Sequence, residues 1–252
     1  MNFINDVGYI ISNYWQDFLL GVAWTLIISL VATLIGLLLG LIIGIIRTIP
    51  YSKNKIVFGI QKVINFILSA YIEVFRGTPM MVQAVVIYWG YAFMMNGNTL
   101  PLIPSAIVIV SINTGAYIAE IVRGGIAGID KGQFEAAHAL GMNHFQTMVH
   151  VIIPQVMKTI LPAVSNEFVI NIKDTSVLNV IGVTELYFVM SVTVKMTYKN
   201  FPVYLVGCVI YFILTFTITR IIKLIEKKIA GKKHYSLYIS NAIGSLLEEG
   251  NN

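Results

Sequence analysis

Between Phe18 and Ile46 the chain contains no ionisable side chain. A helix needs about 20 apolar residues to cross the hydrocarbon core of a bilayer, and this run exceeds that. The rest of the sequence is read from this first span. The chain has 57% hydrophobic and 12% charged residues, against about 45–50% and 25% in soluble domains. One aqueous core cannot bury that excess, so an all-α membrane protein with about five transmembrane helices is expected. The segment 1–17 has no Lys or Arg ahead of the apolar run, unlike the basic start of a cleaved leader, so the first helix is expected to be retained.

Four further crossings follow. A basic, turn-forming stretch with Arg47, Pro50, Lys53, Lys55 and Lys62 leads into a second apolar segment over Ile64–Met95. Glu73, Arg76, Gly77 and Pro79 interrupt it, which predicts a break near Gly77. Asn96–Pro101 reads as a turn, and Leu102–Ala119 is the third crossing. The chain is polar over Glu120–His150 and re-enters at Ile153–Ile172. There Lys173 and Asp174 interrupt it before Val177–Val194. These two halves predict one discontinuous crossing plus an outer helix. Phe201–Thr219 is the fifth crossing, with Arg220, Lys223, Lys227, Lys228, Lys232 and Lys233 behind it. Cytoplasmic loops retain Lys and Arg. The expected organisation is an outside N-terminal segment over 1–17, a transmembrane domain over 18–230 and a cytoplasmic C-terminal tail over 231–252.

The net charge of +5 follows these flanks. It is not gathered on a polar face as nucleic-acid binding requires. Cys208 is the only cysteine, which excludes an internal disulfide. His138, His144 and His150 are spaced by six residues; each step turns about 120° around a helix, so they share no face for a metal. Gly36, Gly40 and Gly44 form a small-xxx-small row on the first helix, expected to pack closely within the subunit rather than between two copies.

The polar stretch carries Gln133-Phe134-Glu135-Ala136-Ala137-His138-Ala139-Leu140-Gly141 and then Val151-Ile152-Ile153-Pro154. Asp130 is placed to cap a short helix, and small Ala136 and Ala137 permit close approach by a partner. Taken alone, the pattern also fits a solvated connecting helix. Its spacing, however, resembles the permease family of ATP-binding-cassette (ABC) importers, whose coupling segment reads Glu-Ala-Ala, three residues, Gly, nine residues, Ile-x-Leu-Pro. Val151 and Ile153 are aliphatic departures. Within that family the chain is most similar to the polar amino-acid branch, of histidine, glutamine, arginine and cystine type. That likeness lies in Glu73-Val74-Phe75-Arg76-Gly77-Thr78-Pro79, in Ala116-Tyr117-Ile118-Ala119-Glu120-Ile121-Val122-Arg123-Gly124-Gly125-Ile126, and in Asn166-Glu167-Phe168 leading to Lys173-Asp174-Thr175-Ser176.

The resemblance implies the type I ABC importer permease fold in a bacterial cell membrane. It also implies that Glu135, Ala136, Ala137 and Gly141, within a coupling segment of about 130–154, contact a separate ATPase subunit. Further implied partners are a second permease chain, identical or related, and an extracytoplasmic amino-acid-binding protein. The chain lacks a G-x-x-x-x-G-K-[ST] phosphate loop. ATP is therefore expected on the partner ATPase, and no cofactor or metal on this chain, which is expected to be a transport subunit rather than an enzyme.

Ionisable residues at membrane depth are costly and mark pathways. A zwitterionic amino acid needs an anion for its ammonium and a cation for its carboxylate. Glu73, Arg76, Lys173 and Asp174 supply both signs beside the expected breaks, with Asn171 as a neutral candidate and Asn113 and Ser176 as weaker ones. Glu73 and Arg76 can instead pair with each other, and Lys173 and Asp174 can lock the break. An ion-coupled secondary amino-acid carrier would also use broken helices, but would not need the Glu135–Pro154 pattern. An intramembrane hydrolase would need a nucleophile and base within hydrogen-bond reach, yet all four histidines fall in polar segments.

The basic-residue asymmetry predicts that single cysteines at Lys53 and Glu135, in a Cys208-free protein, react with impermeant reagents from the cytoplasmic side. One in the Asn96–Pro101 turn should react from outside. Labelling of position 135 from outside alone would overturn this topology.

Overall fold

The computed structural model describes residues 3–249, with side chains as far as Ile229. The expected tail over 231–252 falls outside the residues whose side chains are described. In chain order the helices are α1 (Phe3–Ile46), α2 (Lys55–Gly77), α3 (Met80–Met94), α4 (Leu102–Ala127), α5 (Lys131–Ala139), α6 (His144–Thr147), α7 (Ile153–Asp174), α8 (Leu186–Thr197) and α9 (Asn200–Glu249). A π-helical turn over Met148–Ile152 joins α6 to α7, and a 3₁₀ segment over Thr175–Ile181 follows α7. Five stretches are long and apolar enough to cross a membrane: α1, α2, α4, His144–Ile181 and the part of α9 up to Ile229. The short apolar helices α3 and α8 accompany them. The expectation of about five crossings is met, and the break expected near Gly77 is present, but it ends the second span, α2, rather than interrupting a crossing over Ile64–Met95.

The 44 residues of α1 extend about 66 Å, roughly twice the hydrocarbon thickness. Residues 3–17 form the leading turns of this same helix. The wide π turn sits directly before Pro154, whose ring lacks an N–H donor and crowds the carbonyl four residues back. That strain accounts for a local departure from α geometry at this point.

Helix α4 runs through the middle, and Ile109, Val110, Ala116, Ile118, Ala119 and Val122 on it are fully buried. Along α1, Gly36, Gly40 and Gly44 face Thr114, Ile118 and Val122 of α4. Both rows repeat every four residues, so two matching ridges mesh over two turns. A Cβ added at Gly40 would lie 2.6 Å from Ile118 Cγ2, and one at Gly44 2.7 Å from Val122. The row packs within the protomer, as expected.

Four apolar clusters surround this pair among the described residues, one of them joining Ile72 of α2 to Ala116 and Ala119 of α4. Ile28 and Ala32 of α1 meet Ala84, Tyr88, Ile109, Val110 and Leu178 around α3 and the 3₁₀ segment. Towards the other end, Ile118, Val122 and Ile126 meet Met148, Ile152, Val156 and Ile160 of α7 and its π turn. The third cluster joins Ile10 and Phe18 to Leu186, Val189 and Val203 of α8 and α9. Apolar side chains on the outer faces of α2 and α9, such as Phe66, Ile67, Phe212 and Ile213, are exposed, as lipid-facing positions require.

Overpacking a filled interface costs about 1–3 kcal/mol. Gly40→Val should therefore lower the melting temperature of the purified protein in detergent by several degrees, whereas Gly59→Ala, where an added Cβ meets nothing within 4 Å, should leave it unchanged. Equal melting of Gly40→Val and the unmutated protein would rule out the α1–α4 contact.

Candidate functional site

The first helix break is a built structure. Helix α2 ends at Gly77, Thr78 and Pro79 are extended, and α3 starts at Met80. A break at membrane depth leaves carbonyls without helical partners, and bare ones cost several kcal/mol. Here the Gln83 amide donates to the carbonyls of Phe75 and Thr78, both at 2.9 Å. Asn113 of α4 donates to Gln83 Oε1 at 2.9 Å and to Phe75 O at 3.3 Å. The Thr78 hydroxyl closes on Val74 O at 2.7 Å, and Tyr71 reaches across to Ile112 O of α4 at 2.5 Å.

The second break is pinned from the same helix. Asn171, only 3% exposed, donates to Thr33 Oγ1 of α1 at 2.8 Å and to Thr114 Oγ1 of α4 at 3.0 Å. Its amide is engaged inside the protomer, where it ties three helices together. Three residues on, the chain leaves α geometry at Asp174 and tightens into the 3₁₀ segment, which ends at Gly182 with φ +87°.

The charged candidates fall into different places. The Arg76 guanidinium lies over the Tyr117 ring of α4, 5.4 Å from its centroid. Among the described residues it forms no ion pair with Glu73, which is exposed on α2. Glu167 and Asp174 are both carried on α7 and are both half-buried. Seven residues separate Glu167 from Asp174, so both occupy one face of α7, about 10 Å apart along its axis. Charges of both signs thus stand beside the two breaks: Arg76 at the first, and Glu167, Lys173 and Asp174 on the helix that leads into the second. Lys173, next to Asp174, lines a cleft of about 300 Å³ between the 3₁₀ segment, α8 and α9 together with Ser176, Tyr187, Met190, Tyr204 and Tyr211.

Glu167 was absent from the candidates read off the sequence, and the seven-residue interval to Asp174 was the signal for it. Two other clusters carried no such signal. Glu120 of α4 binds Arg47 at the end of α1 and Arg123 one turn on, the latter at 2.9 Å. This pairing lets α4 continue as helix to Ala127, beyond the polar boundary at Glu120. Glu185, fully buried, caps α8: it accepts the backbone N–H groups of Tyr187 and Phe188 at 2.9 and 2.7 Å and the Tyr211 hydroxyl at 3.1 Å.

The Glu135–Gly141 segment forms a separate corner. Asp130 caps α5 through Gly132 N at 2.7 Å. The helix ends where Gly141 N bonds His138 O and Met142 N bonds Ala137 O, a Schellman pair requiring a left-handed residue. Gly141 provides it with φ +78°. A capping box of Asn143 and Gln146 starts α6. Ala137 packs inward at 3% exposure, whereas Glu135 and Ala136 are exposed. Leu140 and Phe145, on either side of the Gly141 turn, are 82% and 73% exposed, so the corner presents two unpartnered apolar side chains.

Residues 36–231 match the family described as "Binding-protein-dependent transport system inner membrane component". The chain is 36% identical to the glutamine transport system permease protein GlnP of Escherichia coli (strain K12) over 164 residues, 65% of this chain and 75% of that protein. It is 35% identical to the L-cystine transport system permease protein TcyB of Bacillus subtilis (strain 168) over 167 residues, 66% of this chain and 70% of that one. A solved structure described as an amino acid ABC transporter with histidines superposes with a TM-score of 0.76 at 37% identity, covering 90% of this chain and 99% of that one. The inward-facing MetNI methionine ABC transporter, at 20% identity and a TM-score of 0.72, covers 85% of this chain and 97% of its own and shares the fold. The chain therefore belongs to the family of inner-membrane components of binding-protein-dependent transport systems.

Proposed function

We propose that this chain is the permease subunit of an ABC importer that carries a polar amino acid across the bacterial cell membrane. The observation that carries the reading is the pair of pinned helix breaks with charges of both signs beside them, Arg76 at the first and Glu167, Lys173 and Asp174 at the second. A zwitterion needs both signs at once, and such charges at membrane depth are expensive without a ligand or partner. The similarity to glutamine and cystine permeases and to an amino acid transporter supports the substrate class. Arg76 faces the substrate carboxylate, and Asp174 with Glu167 faces its ammonium. Glu73 is held as an outer contact and Lys173 as a carboxylate contact approached from the α9 side. Asn171 serves the site by holding the break.

Energy comes from a separate ATPase subunit, which seats the α5–α6 corner in a cleft. Leu140 and Phe145 supply apolar anchors, and Glu135, Ala136, Ala137 and Gly141 set its shape. A second permease chain completes the pathway, and an extracytoplasmic binding protein delivers the amino acid. The N-terminus lies outside, and the Glu135 corner and the C-terminal tail lie in the cytoplasm. Reconstitution with the ATPase and binding protein, followed by a screen of labelled amino acids, tests the whole reading. Uptake should require ATP. Uptake driven by an ion gradient without ATP would favour the secondary carrier instead.

Three substitutions probe its parts. Gly141→Asp places a Cβ on a left-handed residue and a charge between the two apolar anchors, so ATPase association and ATP-driven uptake should fall at least tenfold with melting temperature nearly unchanged. Normal uptake would sink the corner assignment. Glu167→Gln and Asp174→Asn should each raise the substrate concentration for half-maximal uptake about tenfold, a loss of the order of one charged hydrogen bond, with the complex assembled in normal amount. Unchanged concentration dependence in both would move the site.

A further inference from the structure

Both helix breaks are held by neighbouring residues of one helix. Asn113 of α4 bonds the Gln83 amide and the Phe75 carbonyl of the first break, at 2.9 and 3.3 Å. Thr114, the next residue, exchanges hydrogen bonds with Asn171 of the second break, at 3.0 and 3.2 Å. Successive residues on a helix point about 100° apart, so this one step reaches two sides of α4. The seam continues beyond it. Asn171 bonds Thr33, Thr33 bonds Ser29 O at 2.6 Å, Ser29 bonds Thr25 O at 2.6 Å, and Thr25 Oγ1 accepts Leu186 N at 3.2 Å at the start of α8. Asn113, Thr114, Asn171, Thr33, Ser29 and Thr25 are each at most 8% exposed.

We propose that Asn113 and Thr114 are positioning residues that lock the two breaks into a single unit. They keep the Gly77–Pro79 break, with Arg76 beside it, in register with the break that follows Asp174. Three physical arguments support this. A fully satisfied buried network rigidifies what it joins. Both sets of bonds come from side chains of adjacent residues on one helix, so neither break can shift along α4 without breaking a buried hydrogen bond to a side-chain amide, at the cost of a desolvated polar group. The glycine contact behind Thr114 leaves that helix no room to slide: a Cβ at Gly36 would already lie 2.9 Å from Thr114 Cβ. Thr114 and Asn113 need not touch substrate to set its affinity. The inference rests on the reading of the breaks as the substrate-facing site, and it predicts that loosening either bond changes affinity before it changes assembly.

The test uses full-length protein assembled with its ATPase, with Cys208→Ser and nitroxide labels on cysteines at Val74 and Val180. These positions are 55% and 41% exposed and flank the two breaks. Labelled chain is diluted into unlabelled chain so that only distances within a protomer are read. Thr114→Val keeps the branched shape and removes the hydroxyl, whereas Thr114→Ser keeps the hydroxyl. The distance distribution should be narrow in the parent and in Thr114→Ser, and at least twice as wide in Thr114→Val and Asn113→Ala. In parallel, uptake of radiolabelled glutamine, cystine and histidine is measured in turn. For whichever is carried, Thr114→Val should raise KM about tenfold, with maximal rate and amount of complex within twofold of the parent, and Thr114→Ser should restore KM. Unchanged widths in both Thr114→Val and Asn113→Ala would overturn the proposal, as would a KM change without broadening. The distance measurement needs no transport. Its failure counts against the coupling alone, whereas absence of ATP-driven uptake in the parent counts against the permease reading.

Discussion

The close approach of α1 and α4 is the contact on which the rest of the protomer depends. Gly36, Gly40 and Gly44 remove side-chain bulk from one helix just where Thr114, Ile118 and Val122 stand on the other. In a bilayer, burying apolar surface brings no gain over lipid, so helices associate through dispersion at short range and through hydrogen bonds. A glycine row maximises the first. It also brings α1 near enough for Thr33 to share the Asn171 amide with Thr114, so close packing and polar bonding reinforce each other on one helix pair.

That rigid pair allows the protein to keep irregular backbone inside the membrane. Non-helical segments survive there only when protein groups satisfy their carbonyls and N–H groups. Gln83 and Asn113 do this for the first break, and at the second the tightened 3₁₀ turn and the Thr175 hydroxyl on Ile172 O do it, while Asn171 ties the segment to side chains of α1 and α4. Neutral amides hold the backbone, so the charged side chains are not used up as structural props. Arg76, Glu167 and Asp174 therefore remain partly accessible, which a passing ligand requires. The contrast with Glu185 is instructive. Its carboxylate is surrounded by two backbone donors and a tyrosine hydroxyl, and its role ends with capping α8.

Far from the breaks, the α5–α6 corner shows how local sequence chemistry builds a protruding surface. Asp130, Gly141 and the Asn143–Gln146 box start, stop and restart the chain within a few residues. The result exposes Leu140 and Phe145 on either side of the Gly141 turn. Glycine is needed at 141 for its left-handed backbone rather than for space, because a Cβ there meets nothing within 4 Å.

Much of this was written in one dimension. Uninterrupted apolar length set the spans, because bilayer thickness imposes a minimum that only a helix of that length meets. Gly77 with Pro79 and Lys173 with Asp174 marked the breaks, Asp130 marked a cap, and the four-residue glycine row marked a tight interface. Each of these is a property of a single segment and its own periodicity. Tertiary structure decided how the segments are turned towards each other, and with it which polar groups meet. It placed Arg76 over Tyr117, turned Lys173 towards the tyrosines of α8 and α9, and drew Asn171 into the interior. It also gave Glu120 two arginines, one from its own helix and one from α1. Spacing along a helix gives a residue's height and its face relative to its own neighbours. It does not give the rotation of that helix against another, which here is set by where glycine lets two backbones touch.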